Sequence, residues 1–321
     1  MKKLIRRMAS IGFARKIIIK LIWALNRALG DQPLSFDPPP PNAIPRELFP
    51  AFTLDNKIPV AYCYCNGTVS GGAVCNTPET YKEILKQIEK RTFKYYENEG
   101  KAFYDAFERH SFSGKTVLIW GLAGCNCEAL AIWNKAAKVY VVDYNKPICD
   151  HPLIEVLTHQ ELKEAGLKTD FAISYSSFEH DGLGRYGDPI DPEGDLKAMR
   201  AARDFLKDDG VLLFGVPLGK DALVWNAHRI YGPIRLPLLL KGWRCVEVFD
   251  IYDGSPFDES NKVGDCRQSL MILQKINSDY PSDEAPREAI DRASNNDKER
   301  HNNLILSQIN RFVLEAKANP R

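Results

Sequence analysis

Segment 176–189 carries the densest set of side chains in this sequence that could perform acid–base chemistry. It runs Ser-Ser-Phe-Glu-His-Asp-Gly-Leu-Gly-Arg-Tyr-Gly-Asp-Pro and follows an apolar stretch, 171–175, that is typical of a buried strand. Ionisable groups just past the carboxyl end of a core strand lie where doubly wound folds bind ligands. His180 is the first candidate for a general base, because an imidazole titrates near neutral pH. The other catalytic candidates, which would orient this imidazole or replace it as the base, are Glu179, Asp181 and His228.

The same loop and a second polar segment, 228–233, supply candidates for contact with a substrate. Glycines at 182, 184 and 187 allow the loop to fit closely around a ligand. The competing explanation is a solvated loop whose acids only cap neighbouring elements. The concentration of ionisable side chains favours a functional role. The predicted substrate-binding residues are Arg185, Tyr186, Asp188, Arg229 and Tyr231.

A second candidate site surrounds Gly121. The apolar stretch 117–120 predicts a buried parallel strand, Gly121 allows a sharp turn, and 128–137 predicts the next helix. A second apolar strand, 139–142, ends on Asp143, where a carboxylate can hydrogen-bond two ribose hydroxyls. This order of elements predicts half of a nucleotide-binding sheet. The predicted cofactor-binding residues are Gly121, Ala123, Gly124, Asp143, Tyr144 and Ser176.

The turn after the first strand favours a ligand without a pyrophosphate. A dinucleotide fingerprint requires Gly-x-Gly-x-x-Gly, because a pyrophosphate sits on the helix N-terminus. Here the three positions are Gly121, Ala123 and Asn126, so the second and third glycines are absent. S-adenosylmethionine requires only the tight turn and the ribose acid. NAD is thereby disfavoured, and a fold of this type with an altered or empty pocket stays an alternative.

The elements that must position these residues alternate along the chain. Further strands are predicted at 153–157, 171–175 and 210–216, with helices at 160–166 and 195–206 between them. Two last strands, 245–251 and 268–274, form a terminal pair in which the seventh strand is expected to be antiparallel. Upstream, helices are predicted after Thr77, an N-cap followed by Pro78, and over 93–108. The pattern predicts an α/β, doubly wound sheet with a terminal antiparallel strand pair.

Charge is distributed unevenly along the chain, although the formal net charge is only +1. Residues 1–30 contain eight basic residues and no acidic residue, together with an apolar face that Lys16 and Lys20 interrupt. This composition predicts a basic amphipathic helix that lies on an anionic membrane surface without crossing it. A transit peptide and a helix docked on the body are the alternatives. The protein is thus expected to be cytoplasmic and peripheral at a membrane.

Composition divides the chain into four parts. Segment 1–30 is the basic helix, 31–50 is a proline-rich linker, 51–276 is the α/β domain, and 277–321 is a polar linker with a last amphipathic helix. The body carries more acidic than basic residues and no zinc-finger or RNA-binding motif, which argues against nucleic acid as a partner. The eight cysteines lack paired Cys-x-x-Cys knuckles, so no metal is expected and most cysteines are expected to be reduced.

The loop motif from Ser176 to Pro189 resembles the uncharacterised family first named for Caenorhabditis proteins of unknown function. That family is similar to class I S-adenosylmethionine-dependent methyltransferases, and the resemblance covers roughly residues 92–275. The pair Glu179-His180 is similar to the Glu-His that many small-molecule methyltransferases carry after the fourth strand. Segment 228–231, His-Arg-Ile-Tyr, is similar to their His-x-Arg-x-Tyr segment ahead of the sixth strand. The chain departs from the usual Gly-x-Gly-x-Gly at Ala123 and Cys125.

The resemblance implies a Rossmann-like class I methyltransferase sheet and S-adenosylmethionine as cofactor. The expected function is methylation of a hydroxyl on a small molecule or glycan, with His180 as the base. A non-catalytic member of the fold that acts as a binding protein is the first alternative. An NAD-dependent oxidoreductase, which Asp143 would also suit, is less favoured.

Overall fold

The computed structural model describes residues 39–64, 75–95, 100–121, 125–144, 146–279 and 297–318. The basic segment 1–30, with its predicted membrane helix, lies outside these residues. The elements of the first half are α1 Phe49–Thr53, β1 Val60–Tyr62, β2 Cys75–Asn76, α2 Pro78–Glu89, α3 Gly100–Arg109, β3 Thr116–Trp120, α4 Asn126–Trp133, β4 Lys138–Val142, β5 Ile148–Cys149, β6 Ile154–Leu157 and α5 His159–Glu164.

The second half begins with the strand that leads into the candidate catalytic loop. Its elements are β7 Thr169–Tyr175, a single 3₁₀ turn Phe178–His180, α6 Gly194–Phe205, β8 Leu206–Gly215, β9 Pro217–Gly219, β10 Ala222–Trp225, β11 His228–Ile230, α7 Leu236–Leu239, β12 Trp243–Phe249, β13 Cys266–Gln268, β14 Leu270–Lys275 and α8 Asp297–Ala318.

Seven of these strands form the main sheet of the described chain, in the order β12-β14-β8-β7-β3-β4-β6. Strand β3 pairs in parallel with β4 and β7, and β4 with β6 and β7 with β8 are also parallel. Strand β14 runs antiparallel to both of its neighbours. The predicted fold class is confirmed: this is an α/β, doubly wound, Rossmann-like sheet with a terminal antiparallel strand pair.

Each central strand buries both of its faces, which explains the continuous apolar stretches in the sequence. In β3, Val117 and Ile119 face a core shared with helices α2, α3 and α4. Leu118 and Trp120 face the opposite core, which residues of α6, α7 and α8 complete. Because successive side chains of a strand point to opposite faces, the four apolar residues 117–120 in a row require cover on both sides.

Helix boundaries follow the capping residues where the sequence has them. Thr77 caps α2 by accepting a hydrogen bond from Thr80 N, and Pro78 is the first helical residue, as predicted. Helix α3 begins at Gly100, so the predicted start at residue 93 is wrong. The ring of Tyr95 is 5.1 Å from that of Tyr175 and is buried in the core, so aromatic burial outweighs helix propensity there.

A smaller sheet, β1-β10-β11, lies against the candidate catalytic loop, which follows β7. The indole of Trp225 is fully buried and donates a hydrogen bond from Nε1 to the carbonyl oxygen of Pro41, over 3.0 Å. Residues 39–50, which the sequence predicts to be linker, therefore contact the body. Their shared core consists of Ile44, Phe52, Ile58, Leu183, Leu223 and Trp225.

The C-terminal helix α8 also docks on the body. Ile305, Ile309 and Phe312 are buried, and the side-chain oxygen of Asn302 accepts a hydrogen bond from the backbone of Asp250. Among the helices of the described ranges, none is long and apolar enough to cross a membrane. The predicted domain boundaries stay predictions.

Candidate functional site

The turn after β3 and the loop after β7 meet at one point of the sheet. Strand order reverses between β3 and β7, which is where doubly wound sheets bind ligands. Gly121 has a φ of 80°, and a Cβ atom added to it would lie 2.1 Å from Ser177 Oγ. The backbone N–H of Gly121 also donates to the carbonyl of Val142 at the end of β4. Only glycine fits this approach, so the ends of β3, β4 and β7 converge here.

The predicted cofactor residues on β4 lie beside this turn. Asp143 is half-buried and follows β4 directly, and Tyr144 is 50% exposed. The ring of Tyr144 lies 4.7 Å from the ring of His159, which in turn packs 5.4 Å from Trp120. An acidic side chain and an exposed aromatic ring are thus neighbours at the carboxyl edge. Ala123 and Gly124 lie outside the described residues, and contact of this group with a cofactor stays a prediction.

Ser176 and Glu179 form a buried network with a residue that the sequence did not suggest. Ser176, in a left-handed conformation with φ of 55°, donates from Oγ to Glu179 Oε1 over 3.0 Å. Gln268, from β13, donates from Nε2 to both Ser176 Oγ, at 3.0 Å, and Glu179 Oε1, at 3.2 Å. These bonds hold one oxygen of Glu179 in a single position.

The carboxyl group of Glu179 is almost wholly shielded from solvent. Its side chain is 1% exposed, and Oε2 has no hydrogen-bond partner among the described residues. Burial raises the pKa of Glu179 to about 7, because a charged carboxylate is costly in an apolar surrounding. Glu179 is therefore poised between its neutral and charged forms near neutral pH.

His180 is fixed by a backbone carbonyl in the turn between β10 and β11 of the small sheet. Its Nδ1 atom lies 2.5 Å from the carbonyl oxygen of Ala227. Since a carbonyl only accepts, Nδ1 must carry the proton, and Nε2 of the neutral ring keeps its lone pair. Burial, with the charge of Arg185, lowers the pKa of His180 to about 3. The 3.7 Å contact between His180 Nε2 and Glu179 Oε1 is thus not an ion pair when the imidazole is neutral.

Three further predicted residues surround His180. The ring of Tyr186 lies 5.3 Å from the His180 ring in an edge-on arrangement, and the His228 ring lies 6.5 Å away. Arg185 donates from Nη1 to the carbonyl of Ala227, over 3.1 Å, and its Cζ lies 5.1 Å from the centre of the Tyr186 ring. The structure brings these four side chains together, and we call them the His180 cluster: His180, Arg185, Tyr186 and His228.

The other predicted substrate residues make buried contacts that shape the loop. Arg229 is 2% exposed and donates to the backbone carbonyls of Glu179 and Asp181, at 3.4 and 2.7 Å. Tyr231 is fully buried, with its hydroxyl 2.9 Å from Asp195 Oδ2. These contacts place both side chains away from the loop surface and give them a positioning role.

Two acids of the loop are also turned inward. Asp188 accepts hydrogen bonds from the backbone N–H groups of Gly184, at 2.9 Å, and Tyr186, at 3.1 Å. Asp181 is 8% exposed, and burial and the charge of Asp188 raise the pKa of Asp181 well above its ordinary value. Asp188 therefore closes the turn of the loop, and contact of either acid with a substrate stays a prediction.

Sequence reasoning missed the residues that hold the loop from a distance. Three of these contacts join positions far apart in the sequence: those made by Gln268, by the carbonyl of Ala227 and by the Asp195–Arg235 pair. Asp195 stands in the first turn of α6, where an acid is expected for helix stability alone. Only the polar segment 228–233 signalled that this part of the chain would face the loop.

Within the described part of the chain, no group of three or more His, Cys, Asp or Glu side chains is placed to hold a metal ion. Cys125, Cys127, Cys149 and Cys245 are buried as free thiols, and Cys266 is an exposed free thiol. The buried thiols thus serve as small apolar side chains.

Comparison with solved structures gives distant similarities. A candidate hemolysin from Streptococcus thermophilus has 14% identity and a TM-score of 0.38, with 71% of this chain and 78% of that chain covered. A candidate S-adenosylmethionine-dependent methyltransferase from Streptococcus mutans has 11% identity and a TM-score of 0.35, with 57% and 50% covered. M. jannaschii TYW2, in complex with AdoMet, has 14% identity and a TM-score of 0.32, with 55% and 77% covered. This chain thus spans half the length of the second of these structures.

Comparison with curated proteins gives no match. The profile of one family matches residues 114–276, which include β3, the turn at Gly121, the whole His180 cluster and the terminal strand pair. This match covers just over half of the 321 residues. The chain therefore belongs to the family described as Caenorhabditis protein of unknown function, DUF268.

Proposed function

We propose that this protein is an S-adenosylmethionine-dependent methyltransferase that methylates a hydroxyl group of a small molecule or glycan. One observation carries the proposal. The bond from His180 Nδ1 to the carbonyl of Ala227 leaves Nε2 as a lone-pair acceptor, beside the crevice where β3 and β7 end. A neutral imidazole fixed in this tautomer can take the proton of a hydroxyl group.

The residues at the end of β4 fit an adenosine-containing cofactor. Asp143 would accept hydrogen bonds from two ribose hydroxyls, and the exposed ring of Tyr144 would pack against the adenine. Gly121 would let the backbone approach the ligand, because nothing larger than hydrogen fits at its Cα. When bound, the cofactor supplies a sulfonium methyl carbon, which the acceptor oxygen attacks as the carbon–sulfur bond breaks.

The proton released from the acceptor hydroxyl would move to Nε2 of His180. The imidazolium that forms is buried, and its nearest carboxyl oxygen is Glu179 Oε1, at 3.7 Å. A charged Glu179 would offset the cost of this buried cation. Ser176 and Gln268 would keep that oxygen in place by their hydrogen bonds. Glu179 thus acts as the stabilising partner of the base.

Calorimetric titration with S-adenosylmethionine and with NAD tests the proposal, together with transfer of a labelled methyl group to a panel of hydroxyl acceptors. We expect binding of S-adenosylmethionine alone. Asp143→Asn should weaken it by about 1.5–3 kcal/mol, the value of a hydrogen bond to a charged group. Asp150→Asn, which changes a nearby acid after β5, is the matched control. Binding of neither ligand would support a non-catalytic protein, and binding of NAD alone would support an oxidoreductase.

We also propose that residues 1–30 attach the protein to anionic membranes, since they carry eight basic residues and no acid. Sedimentation of the full chain with anionic liposomes tests this attachment. Binding should weaken as salt is added and should decrease when Lys16 and Lys20 are replaced by Glu. Retention that salt does not affect would contradict the electrostatic attachment.

A further inference from the structure

Arg185 carries a positive charge that no carboxylate of the described residues neutralises within ion-pair distance. Its side chain is half-buried, and one hydrogen bond, from Nη1 to the carbonyl of Ala227, fixes the guanidinium. Half-buried arginines normally pair with an acid, because removing the charge from water is costly. A guanidinium has five N–H donors in a fixed plane, so donors remain after the bond to Ala227 is made.

Two acids of the same loop make their hydrogen bonds with other groups. Glu179 is bound by Ser176 and Gln268, and Asp188 is bound by the backbone N–H groups of Gly184 and Tyr186. None of the ion pairs formed by the described residues includes Arg185, whereas Arg229 and Arg235 both lie beside Asp195. Among the described residues, the contrast between these three arginines of one region indicates that Arg185 is available to a ligand.

The rings around Arg185 carry no formal charge. His180 and His228 both have a lowered pKa, from burial first and then from the charge of Arg185. Neither imidazole contributes a negative charge, and the face of Tyr186 lies against the guanidinium. An added anion would meet one cation and three neutral side chains with hydrogen-bonding groups, in half-buried surroundings where such bonds are strong.

We infer that the His180 cluster binds an oxyanion, a carboxylate or a phosphate of the acceptor, through the free N–H groups of Arg185. The inference rests on the proposed function and adds the chemical class of the acceptor to it. The planar fork of a guanidinium matches two oxygens of a carboxylate or phosphate. Held at Arg185, such a group would bring a neighbouring hydroxyl of the same molecule towards Nε2 of His180, because both side chains are fixed to the same carbonyl oxygen of Ala227.

Calorimetry with inorganic phosphate, acetate and neutral glucose, at constant ionic strength, tests the inference on the full chain without cofactor. The wild type should bind phosphate or acetate more tightly than glucose, and the tighter anion identifies the class. Arg185→Gln should weaken anion binding by roughly tenfold or more, the value of a charge-assisted hydrogen bond. Arg185→Lys should retain part of the affinity, because it keeps the charge and loses the fork.

Arg200→Gln is the matched control, because it removes an exposed arginine that pairs with Glu193 at 3.4 Å. It should bind the anions as the wild type does. Failure of the wild type to bind either anion, tighter binding of glucose, or equal anion affinity in wild type and Arg185→Gln would each overturn the inference. Should Arg185→Gln melt early, Arg185→Lys decides: a reduced anion affinity in a stable variant supports the site, and an anion affinity equal to that of the wild type overturns the role of the guanidinium fork.

Titration of the same preparations with S-adenosylmethionine separates this inference from the proposed function. Arg185→Gln should bind the cofactor normally, because the predicted cofactor residues Gly121 and Asp143 follow β3 and β4, whereas Arg185 belongs to the loop after β7. Cofactor binding without anion binding would overturn the oxyanion site alone. Anion binding that depends on Arg185, in a protein that does not bind the cofactor, would overturn the methyltransferase proposal and leave the oxyanion site standing.

Discussion

The carboxylate of Asp195 forms a two-point pair with the guanidinium of Arg235. Nε of Arg235 lies 2.9 Å from Oδ2, and Nη2 lies 2.6 Å from Oδ1. Tyr231 donates to the same carboxylate, and Arg229 Nε lies 3.8 Å from it. Burial raises the pKa of Asp195, but the two arginines together hold it below its ordinary value. These contacts connect helix α6 to the segment that carries Arg229. The hydrogen bond from Arg229 to the carbonyl oxygen of Asp181 in turn holds the candidate catalytic loop.

Asp195→Asn should destabilise the protein by about 3–5 kcal/mol, because it leaves buried guanidinium groups without a counter-charge. Urea unfolding measures the loss. The control is Glu193→Gln, which removes an acid of the exposed pair with Arg200 and should cost about 1 kcal/mol or less. Equal, small losses in the two variants would show that the buried pair does not hold the loop.

Glu128 makes the stability of the fold depend on pH. It lies in the first turn of α4, is fully buried, and its Oε2 has no hydrogen-bond partner in the described chain. Burial raises the pKa of Glu128 from 4.5 to about 8. Below the unfolded pKa both states are protonated, and the full contribution of the neutral acid is present. As pH rises from about 4.5 to about 8 the unfolded state ionises while the folded state does not, so stability is lost.

Glu128→Gln should therefore remove this loss of stability at higher pH. Relative to the wild type, the variant should become more stable as pH rises through that window, by roughly 1.4 kcal/mol for each unit of pKa difference. Urea unfolding across the window provides the measurement. Glu89→Gln, at an exposed position of α2, should follow the wild type at every pH. A difference between Glu128→Gln and wild type that does not change with pH would contradict a neutral Glu128.

Substitutions of Gly114 and Gly121 distinguish the effect of backbone strain from the effect of a close contact. Both have positive φ, 71° and 80°, but a Cβ at Gly114 would meet no atom within 4 Å. Gly114→Ala should cost about 1–2 kcal/mol, the strain of a left-handed residue. Gly121→Ala should lower the free energy of unfolding by more than Gly114→Ala does. It should also weaken binding of the cofactor, because the new methyl group would lie 2.6 Å from the Cβ of Ser177. Comparable melting temperatures and cofactor affinities for the two variants would contradict the convergence of β3 and β7 at Gly121.

Much of the fold was predictable from residue patterns, since β3 and β4 are apolar stretches that are followed by Gly121 and Asp143. Strands β3 and β4 occur within one residue of the predicted ranges, and the antiparallel β14 was expected. The stretch predicted as one strand at 268–274 is two, β13 and β14, because the backbone leaves the sheet pattern at Ser269. Alternation of apolar residues does not reveal such a break.

The candidate site was predictable only in part. Glu179 and His180 were evident because ionisable residues follow a core strand. The partner that sets the tautomer of His180 is a backbone carbonyl, which has no sequence signature, and Gln268 lies far along the chain from Glu179. Arg229 and Arg185 are equally polar in sequence. The packing of β11 against the 3₁₀ turn alone decides that one is a buried support and the other faces the cluster.

His180 is the residue on which catalysis depends in the proposed mechanism. If it is the general base, His180→Ala should lower turnover by about 10²–10⁴-fold, the usual contribution of acid–base catalysis. Cofactor affinity should change little, because the predicted cofactor residues Asp143 and Gly121 follow β4 and β3, outside the loop that carries His180. His110→Ala is the matched control, since His110 pairs with Glu247 and is not in contact with the cluster. Melting temperature, cofactor affinity and methyl transfer are measured on the same preparations.

The pH profile of turnover distinguishes this role from a structural one. With a pKa of about 3, His180 is neutral over the whole ordinary range, so its own titration does not appear there. Glu179 loses its charge as pH falls through about 7 and can then no longer stabilise the imidazolium. Turnover should therefore decrease below about pH 7, and Glu179→Gln should remove that inflection and lower the plateau. A stable His180→Ala variant with near-normal transfer would exclude His180 as the base and make His228, 6.5 Å away, the next candidate.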